Sequence, residues 1–522
     1  MADRYLIGVD VGTTGSKGVL VDARGKVLAY QHREHPVSTP RPGWCEQDAD
    51  AVWWADLRAI LRGLLAQSGV DPQAVAGVGL SALSPDLLPL DEEGRPLRAG
   101  ILYADIRAAA EIQSITAQLG AERIVRLCGR PLPPDSVGAK LIWLRDHEPQ
   151  TFARTHVVHT ASSYLGFRLT GQHVIDHGSA AGSSPFFDAA NLSWYEDVCR
   201  ELGVSPAIFP TVKLTTDVAG EVTPAAAAET GLAVGTPVIA GTADALAETI
   251  STGAVEPGEA GLLYGTTICL FIRVPGPPPG TPPVRIGSTR PPFQLCLPGQ
   301  WSLGLGMTAS GALLRWFRDQ FGQAEMDAEE KLGLSAYQLL AQQAETIPPG
   351  SEGLVALPYF AGERSPIWDS LARGAILGLT LSHTRRHIYR ALLEATAYGL
   401  RQGLEEYTHA GVQLDRIIAT GGGTRNRAWT QIVSDVIGFD QDVLTQPWGA
   451  PYGDAYLAGM GVGLFQGLTE LREVWPRDTA AVRWNPQAKA VYDRYYEVYK
   501  GLYPKLKDDM HALAGLATAV SP

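Results

Sequence analysis

Cysteine is scarce in this 522-residue chain, and the five present (Cys45, Cys128, Cys199, Cys269 and Cys296) are scattered, odd in number and free of any C-x-x-C pair. That excludes a disulfide frame and a zinc ribbon, and leaves them as reduced, buried small side chains. Positive charge is also short. With 43 Lys and Arg against 55 Asp and Glu, the formal net charge of -12 argues against nucleic acid or an anionic membrane as a partner. A polyphosphate bound here would need local positive charge and a divalent cation. No uninterrupted apolar run reaches the length of a membrane span. The start, Met1-Ala2-Asp3-Arg4, lacks the basic and apolar regions of a signal peptide, so a cytoplasmic protein with no membrane partner is expected.

What the chain does have is apolar mass and glycine. At 45% hydrophobic, with 57 Gly and 12 Trp, it can fill two sizeable cores rather than one. The first half alternates strand and helix patterns: a strand over Val75 to Ser81, a strongly amphipathic helix over Asp50 to Leu65, and helices over Arg107 to Leu119 and Ala139 to Arg145. Such alternation means an α/β domain. Val238 to Gly241 reads as the strand that closes this half, which places a boundary near Thr249 and two domains at 1–249 and 250–522. The run Pro275 to Pro283 reads as a stiff loop inside the second half rather than a linker.

Two short turns carry the chemistry. After the apolar run Tyr5 to Val9 comes Asp10-Val11-Gly12-Thr13-Thr14-Gly15-Ser16-Lys17. The glycines let the backbone turn closely and present N–H groups, Thr13, Thr14 and Ser16 add hydroxyl donors, and Lys17 adds a charge for phosphate oxygens. Asp10, at the strand end, is placed to face Mg²⁺ or a metal-bound water. An ordinary hairpin is the alternative, since Val19 to Asp22 and Val27 to Ala29 continue as strands around Arg24-Gly25. The pattern recurs about half a chain length on, where Gly265-Thr266-Thr267 sits between the runs Leu262 to Tyr264 and Ile268 to Phe271. A half-length echo suggests two related halves that bring paired phosphate-holding turns to one cleft.

Other segments fit around them. Gly241-Thr242-Ala243-Asp244 puts a carboxylate at the tip of a strand, where it is suited to accept a hydroxyl proton and position the attacking oxygen, although capping the following helix is an equal use for it. Gly421-Gly422-Gly423-Thr424-Arg425-Asn426 lies between a strand and a helix, leaving a flat opening for a base or ribose, with Asn426 either bonding to it or capping the helix. Gly304 to Ala309 matches a G-x-G-x-x-A dinucleotide pattern but lies outside a repeated β-α-β unit. The stretch to Gly311 is read instead as opening a helix near the nucleotide.

These residues together resemble the FGGY carbohydrate kinases, and within them the xylulokinase-like members. The most specific likeness is Gly374-Ala375-Ile376-Leu377-Gly378-Leu379 followed after seven residues by His387-Ile388-Tyr389-Arg390-Ala391-Leu392-Leu393-Glu394, the family's second signature. Gly362 to Pro366, Gly171, Asp176 and Trp44 to Glu46 also sit at family positions, so the likeness spans essentially the whole chain. It implies two actin-like (ribonuclease-H-like) α/β domains around a central cleft, with ATP, Mg²⁺ and a small sugar as ligands. By it, Gly12, Thr13, Thr14 and Lys17 bind ATP with Gly265, Thr266, Thr267 and Gly311, while Gly421, Gly422 and Asn426 take the adenosine. Asp244 is implied as catalytic base, and Asp10 with Asp244 as the metal-facing pair. Ser81, Ala82, Tyr103, Asp105, Arg107 and Asp244 are the expected sugar-binding residues. A ketopentose such as xylulose is the expected substrate, with another ketose or a polyol as the alternative and a non-catalytic ATP-binding sugar sensor as the rival outside the class. A homodimer is admitted but not specified.

The departures gather at the expected sugar site. Where xylulokinases carry Met-His-Gly, this chain has Ser81-Ala82-Leu83-Ser84-Pro85-Asp86 and no imidazole, and their Trp-x-Asp-x-Arg is Tyr103-Ala104-Asp105-Ile106-Arg107. The first signature keeps Lys140, Trp143 and Leu144 but has Val137 in place of Pro, Ser or Thr, and Gly453-Asp454-Ala455 has Asp where Ala is frequent. His383 and His387 have the spacing of a zinc pair but no third ligand, and are read as helix-start packing. Trp53-Trp54, and the helix bearing Ile388, Leu392, Ala395 and Gly399, read as core.

Overall fold

The structure, a computed structural model, describes residues 4–276, 293–294, 297 and 299–519. Cys296 and most of the Pro275 to Pro283 run lie outside the described residues. The first sheet is built from β1 (Tyr5–Val11), β2 (Gly15–Asp22), β3 (Val27–Glu34), β4 (Val75–Ala82), β5 (Val218–Glu221), β6 (Pro237–Ile239) and β7 (Thr242–Ala243). Its order is β5-β6-β4-β1-β2-β3, with β7 also on β4. The second contains β8 (Glu259–Tyr264), β9 (Ile268–Val274), β10 (Phe293–Gln294), β11 (Trp301–Gly306), β12 (Arg416–Thr420), β13 (Gln441–Leu444) and β14 (Thr479–Val482), in the order β10-β11-β9-β8-β12-β13-β14.

The two orders are the same plan used twice. In each sheet the first strand pairs antiparallel with the next strand in the chain and parallel with a later one, β1 with β2 and β4, and β8 with β9 and β12. The half-length echo is therefore a fold repeat. The edges differ: antiparallel β5 precedes its partner β6 in the chain while β14 follows β13, β10 extends the second sheet beyond β11, and β7 adds to β4 in the first.

The expected strand over Val238 to Gly241 is broken at its end. Gly241 takes φ +83 and sits where a Cβ would strike Leu80 O, so the chain steps over before resuming pairing as β7. The expected helix over Asp50 to Leu65 starts as a wider turn, Ala49–Trp54, before α1 (Ala55–Ser68). Leu57, Ile60, Leu61 and Leu64 of α1 fall at helical spacing, all are buried, and Gly69 ends the helix in a left-handed conformation. Trp53 and Trp54 are buried too, in their expected core role.

Five more helices fix the site: α2 (Asp244–Thr252), α3 (Gly311–Phe321), α4 (Arg385–His409), α5 (Arg427–Ile437) and α6 (Ala450–Gly461). One face of the first sheet is covered by α1, where Gly18 stands against Ile60, and the other by α6, whose backbone is so close that a Cβ on Gly8 would run into Pro451 O and one on Gly79 into Asp454 O. Residues from late in the chain thus return to the first sheet, and Trp475 follows them, donating from Nε1 to Ala23 O at 3.1 Å. Thr249, near which the division was expected, lies buried inside α2. On the second sheet α4 crosses β11, where Gly403 meets Leu305. His387 caps the start of α4 in a box with Thr384, and His383 bonds Thr380, so the pair is the helix start that was expected. No helix among the described residues is long and apolar enough to cross a membrane.

Candidate active site

Strand register assembles the centre. Lys17 on β2 stands opposite Asp10 on β1, Asp10 opposite Ser81 on β4, and Ser81 opposite Thr242 on β7. Alternation puts Asp10 and Ser81 on the same face as Gly8 and Gly79, the face that α6 covers. Asp454 of α6 completes the row: Ser81 Oγ lies 2.7 Å from Asp454 Oδ2 and 3.2 Å from Asp10 Oδ1. Two residues beyond Thr242, Asp244 opens α2 and its Oδ1 accepts the Ala245 N–H at 2.7 Å. Asp244 is thus the first residue of α2 rather than its cap, which is Ala243 and makes no side-chain cap bond. Glu248 follows one turn along α2.

Charge in this row is unbalanced. Burial pushes Asp10 up to about 6, with Lys17, Ser81 and His35 pulling it back. Asp244 is pushed up to about 8, first by burial and then by the charge of Asp10. Glu248 is raised by burial against the pull of Lys17, and Asp454 is held well above the usual carboxylate range by burial, with Asp10 and Asp244 adding to it. Burial would lower Lys17, but Asp10 and then Glu248 outweigh it and the ammonium is raised. Four carboxylates share one lysine. These hard oxygen donors fit a divalent cation such as Mg²⁺, which binds through one or two carboxylates and completes its shell with water and phosphate. No group of three protein side chains suited to hold a metal alone is found among the described residues.

Beside the row lie the two glycine turns. In the first, Gly12 N–H closes on Gly15 O at 3.1 Å, Thr14 is exposed and Thr13 is half-buried with its Oγ1 donating to Tyr103 Oη at 3.3 Å. Neither glycine has a positive φ. Gly15 is needed for close approach, since a Cβ would come within 2.9 Å of Arg33 O. Ser16 does not serve phosphate as its position suggested: it is fully buried and donates to Asp56 Oδ2 at 2.9 Å. Asp56 also bonds His35 Nδ1 at 2.8 Å, and His35 Nε2 reaches Gly12 O at 3.0 Å, so a buried strut supports the turn from below. In the second turn Gly265 N–H bonds Thr267 O at 2.9 Å, and Gly265 and Thr266 are exposed. Thr266 O accepts the N–H groups of Ser310 and Ala312, and Gly311 is jammed against Gly265 O. That is how Gly311 opens a helix beside the turn.

The three-glycine segment expected to take adenosine forms a tight turn over Gly422–Arg425 between β12 and α5. Gly421 has φ +100 and a Cβ there would come within 2.5 Å of Tyr264 O, whereas Gly422 is exposed with nothing within 4 Å of a Cβ. Asn426 is buried, accepts from Trp429 N–H at 3.0 Å as the cap of α5, and its Nδ2 reaches Tyr389 Oη at 3.4 Å. Capping is thus the use of its side chain here.

The expected sugar wall needs correction. Ser81 and Ala82 are both fully buried, and Ser81 is committed to the two carboxylates. Asp105 is fully buried as well, accepting from Cys45 N–H at 2.6 Å and from Arg107 Nε and Nη2 at 2.8 and 2.6 Å. Its part is to hold Arg107. Arg107 also pairs with Glu46 at 2.6 Å and stacks over Trp44 at 3.6 Å, leaving its buried Nη1 without a protein partner. Tyr103 is exposed at the edge of the first turn. From the second half Arg364 donates to Met307 O at 3.1 Å, and its charge acts on both Tyr103 and Cys269. Arg364, Glu248, Asp454 and the Asp56–His35 strut are the parts that reading the sequence missed as site residues. Arg364 lay in a motif already noted, and Asp454 had been noted only as a departure from the family pattern.

Comparison with known proteins follows this geometry. Residues 5–251 match the N-terminal domain, and residues 260–462 the C-terminal domain, of the FGGY family of carbohydrate kinases. The xylulose kinase of Bacillus subtilis (strain 168) is 29% identical over 506 residues, covering 97% of this chain and 98% of that protein. The gluconokinase of the same organism is 28% identical over 442 residues, 84% of each. The crystal structure of xylulose kinase from Rhodospirillum rubrum matches with a TM-score of 0.82 at 31% identity, over 97% of this chain and 100% of that one. The fold is that of two actin-like α/β domains.

Proposed function

Because the chain belongs to the FGGY family of carbohydrate kinases, we propose that it moves the γ-phosphoryl group of ATP onto a terminal hydroxyl of a small sugar, a ketopentose such as xylulose. The observation that carries this reading is Asp244: a carboxylate at the first residue of α2, beside Asp10, with a charge that acts both on Tyr103, the partner of Thr13, and on Cys269, the partner of Thr267. It positions the attacking hydroxyl and accepts its proton. Gly12, Thr13, Thr14 and Lys17 on one side, and Gly265, Thr266 and Thr267 on the other, hold the phosphates and neutralise the group in transfer. Asp10 and Asp244 would hold a divalent cation such as Mg²⁺, which would supply charge neutralisation for the phosphoryl oxygens. Adenosine lies against Gly421 and Gly422. The working division is residues 1–249 for sugar and proton acceptor and 250–522 for adenosine, with α6 returning to the first body.

Xylulose is supported by the likeness to the xylulose kinases, and gluconate is the main competitor because a gluconokinase is nearly as similar. Ser81 and Asp105 are spent on protein partners and Arg107 is buried behind them, so exposed Tyr103 is the group of the expected wall left to meet a sugar. ADP release measured over a panel of ketopentoses, ketohexoses, gluconate and glycerol should give the highest kcat/KM for a ketopentose. Preference for gluconate or glycerol overturns the substrate. Sugar-independent ADP release, or none with any member of the panel, overturns the kinase and leaves a sugar sensor.

A further inference from the structure

Asp454 is the one acidic residue of the centre that arrives from the second half of the chain, and nothing in the proposed transfer uses it. Its place is fixed by backbone packing. Gly79 admits Asp454 O and Gly8 admits Pro451 O on one side of α6, while Gly453 admits Ala247 O of α2 on the other. The side chain is 1% exposed. Its Oδ2 lies 2.7 Å from Ser81 Oγ, and its Oδ1 is buried with no partner.

Hydrogen counting decides what this contact is. A serine hydroxyl has a single hydrogen, yet Ser81 Oγ is within bonding distance of two carboxyl groups, Asp10 Oδ1 at 3.2 Å and Asp454 Oδ2 at 2.7 Å. Both bonds form only if one of the carboxyls brings a hydrogen of its own. Asp454 is the better holder, because the shorter contact is its own and because its Oδ1 then becomes a carbonyl oxygen, which tolerates a missing partner better than a buried carboxylate oxygen does. Asp10, by contrast, faces the Lys17 ammonium across the strand pair.

We propose that Asp454 is a positioning residue: its Oδ2 donates a hydrogen to Ser81 Oγ, which turns the hydroxyl hydrogen of Ser81 onto Asp10 Oδ1 and fixes the Asp10 carboxylate toward the cation side. No bond is made or broken; the relay orients one oxygen from a helix that the rest of the centre does not contain. What Asp10 faces rests on the phosphoryl-transfer reading, whereas the hydrogen count does not.

Two measurements on the full-length protein test it. Infrared spectra of wild type and Asp454→Asn at neutral pH should differ by one carboxylic C=O band, present only in the wild type; spectra that superimpose in that region overturn the relay. Titration calorimetry with Mg²⁺ and ADP should show Asp454→Asn, whose amide can still donate to Ser81, within about twofold of wild type, and Asp454→Ala weaker by about tenfold, the scale seen when a group orienting a metal-facing ligand is removed. Binding of ADP without metal should not change. Equal or tighter metal-dependent binding by Asp454→Ala overturns the proposal. If the wild type binds no nucleotide, the kinase reading fails and the infrared difference alone decides the relay.

Discussion

The two Gly-Thr-Thr turns share a backbone plan and differ in everything that supports it. Behind the first stand charges: Lys17 across from Asp10, and the Asp56–His35 strut reaching Gly12 O at 3.0 Å. Behind the second stand neutral groups, with two helix-start N–H groups on Thr266 O, Gly311 wedged at Gly265, and Tyr264 Oη bonded to Gln441 at 2.7 Å. A repeated sheet thus became an asymmetric site, one side built on a cluster of buried carboxylates and Lys17, the other on close backbone packing with Arg364 as its nearby charge. Reactive chemistry needs only one set of buried charges, and a second would add like-charge repulsion to a centre already short of cations.

The sharpest way to break that contrast is at Asp244. Asp244→Asn keeps the size and the hydrogen bond acceptor for Ala245 but removes the proton acceptor, and should lower kcat by about a hundredfold or more while nucleotide affinity, read by calorimetry, stays near wild type. Turnover close to wild type would mean that charge asymmetry is not where the chemistry lies. Next in size is Gly311→Ala. A Cβ there meets backbone rather than a flexible side chain, so it should cost about 1–3 kcal/mol of stability and distort the second turn, seen as a lower melting temperature together with weaker ADP binding.

Smaller and more discriminating is the pair Thr14→Val and Thr267→Val. Each removes one hydroxyl donor, worth about 1 kcal/mol or roughly fivefold in ADP affinity, with little change in stability. If only one of them matters, the two turns do not grip one nucleotide. A separate test reads melting temperature rather than affinity, through the pH dependence of stability. Asp244 titrates near 8 in the folded protein against an ordinary value of 3.8, so the folded state keeps a proton that the unfolded chain releases. Stability from this group is complete below about pH 4 and is lost as the pH rises toward about 8. Without ligands, the melting temperature of wild type should therefore fall between about pH 5 and pH 8, and that of Asp244→Asn should fall less.

How far the sequence led depends on how local each feature is. Both turns, the existence of β1, β2 and β4, and the helix start at His387 were legible because the residues that specify them are neighbours in the chain, although β2 begins at Gly15, four residues before the Val19 expected, and β1 runs on to Val11. The sugar wall was misread because a motif position says nothing of which way a side chain points: Ser81 and Asp105 turn inward to partners 373 and two residues away. Asp454 stood out in sequence only as an odd residue. Its meaning required knowing that α6 lies on β1 and β4, a packing that rests on Gly8 and Gly79 and leaves no periodic signal. The Asp56–His35 strut was equally silent, since each residue alone reads as an ordinary polar position.

The return of α6 to the first sheet also orders events during synthesis. β1 to β7 and α1 leave the ribosome long before Ala450, yet one face of their sheet, with Gly8 and Gly79 bare and Asp10 and Ser81 unsealed, waits for α6 to arrive. At about 5–20 residues per second that wait is on the order of tens of seconds. The nascent first domain is therefore an unfinished body that has an open apolar face and no completed active centre. A chain stopped before Ala450 should bind a hydrophobic dye and turn over nothing; a truncated chain that stays dye-silent would show that the sheet finds another cover.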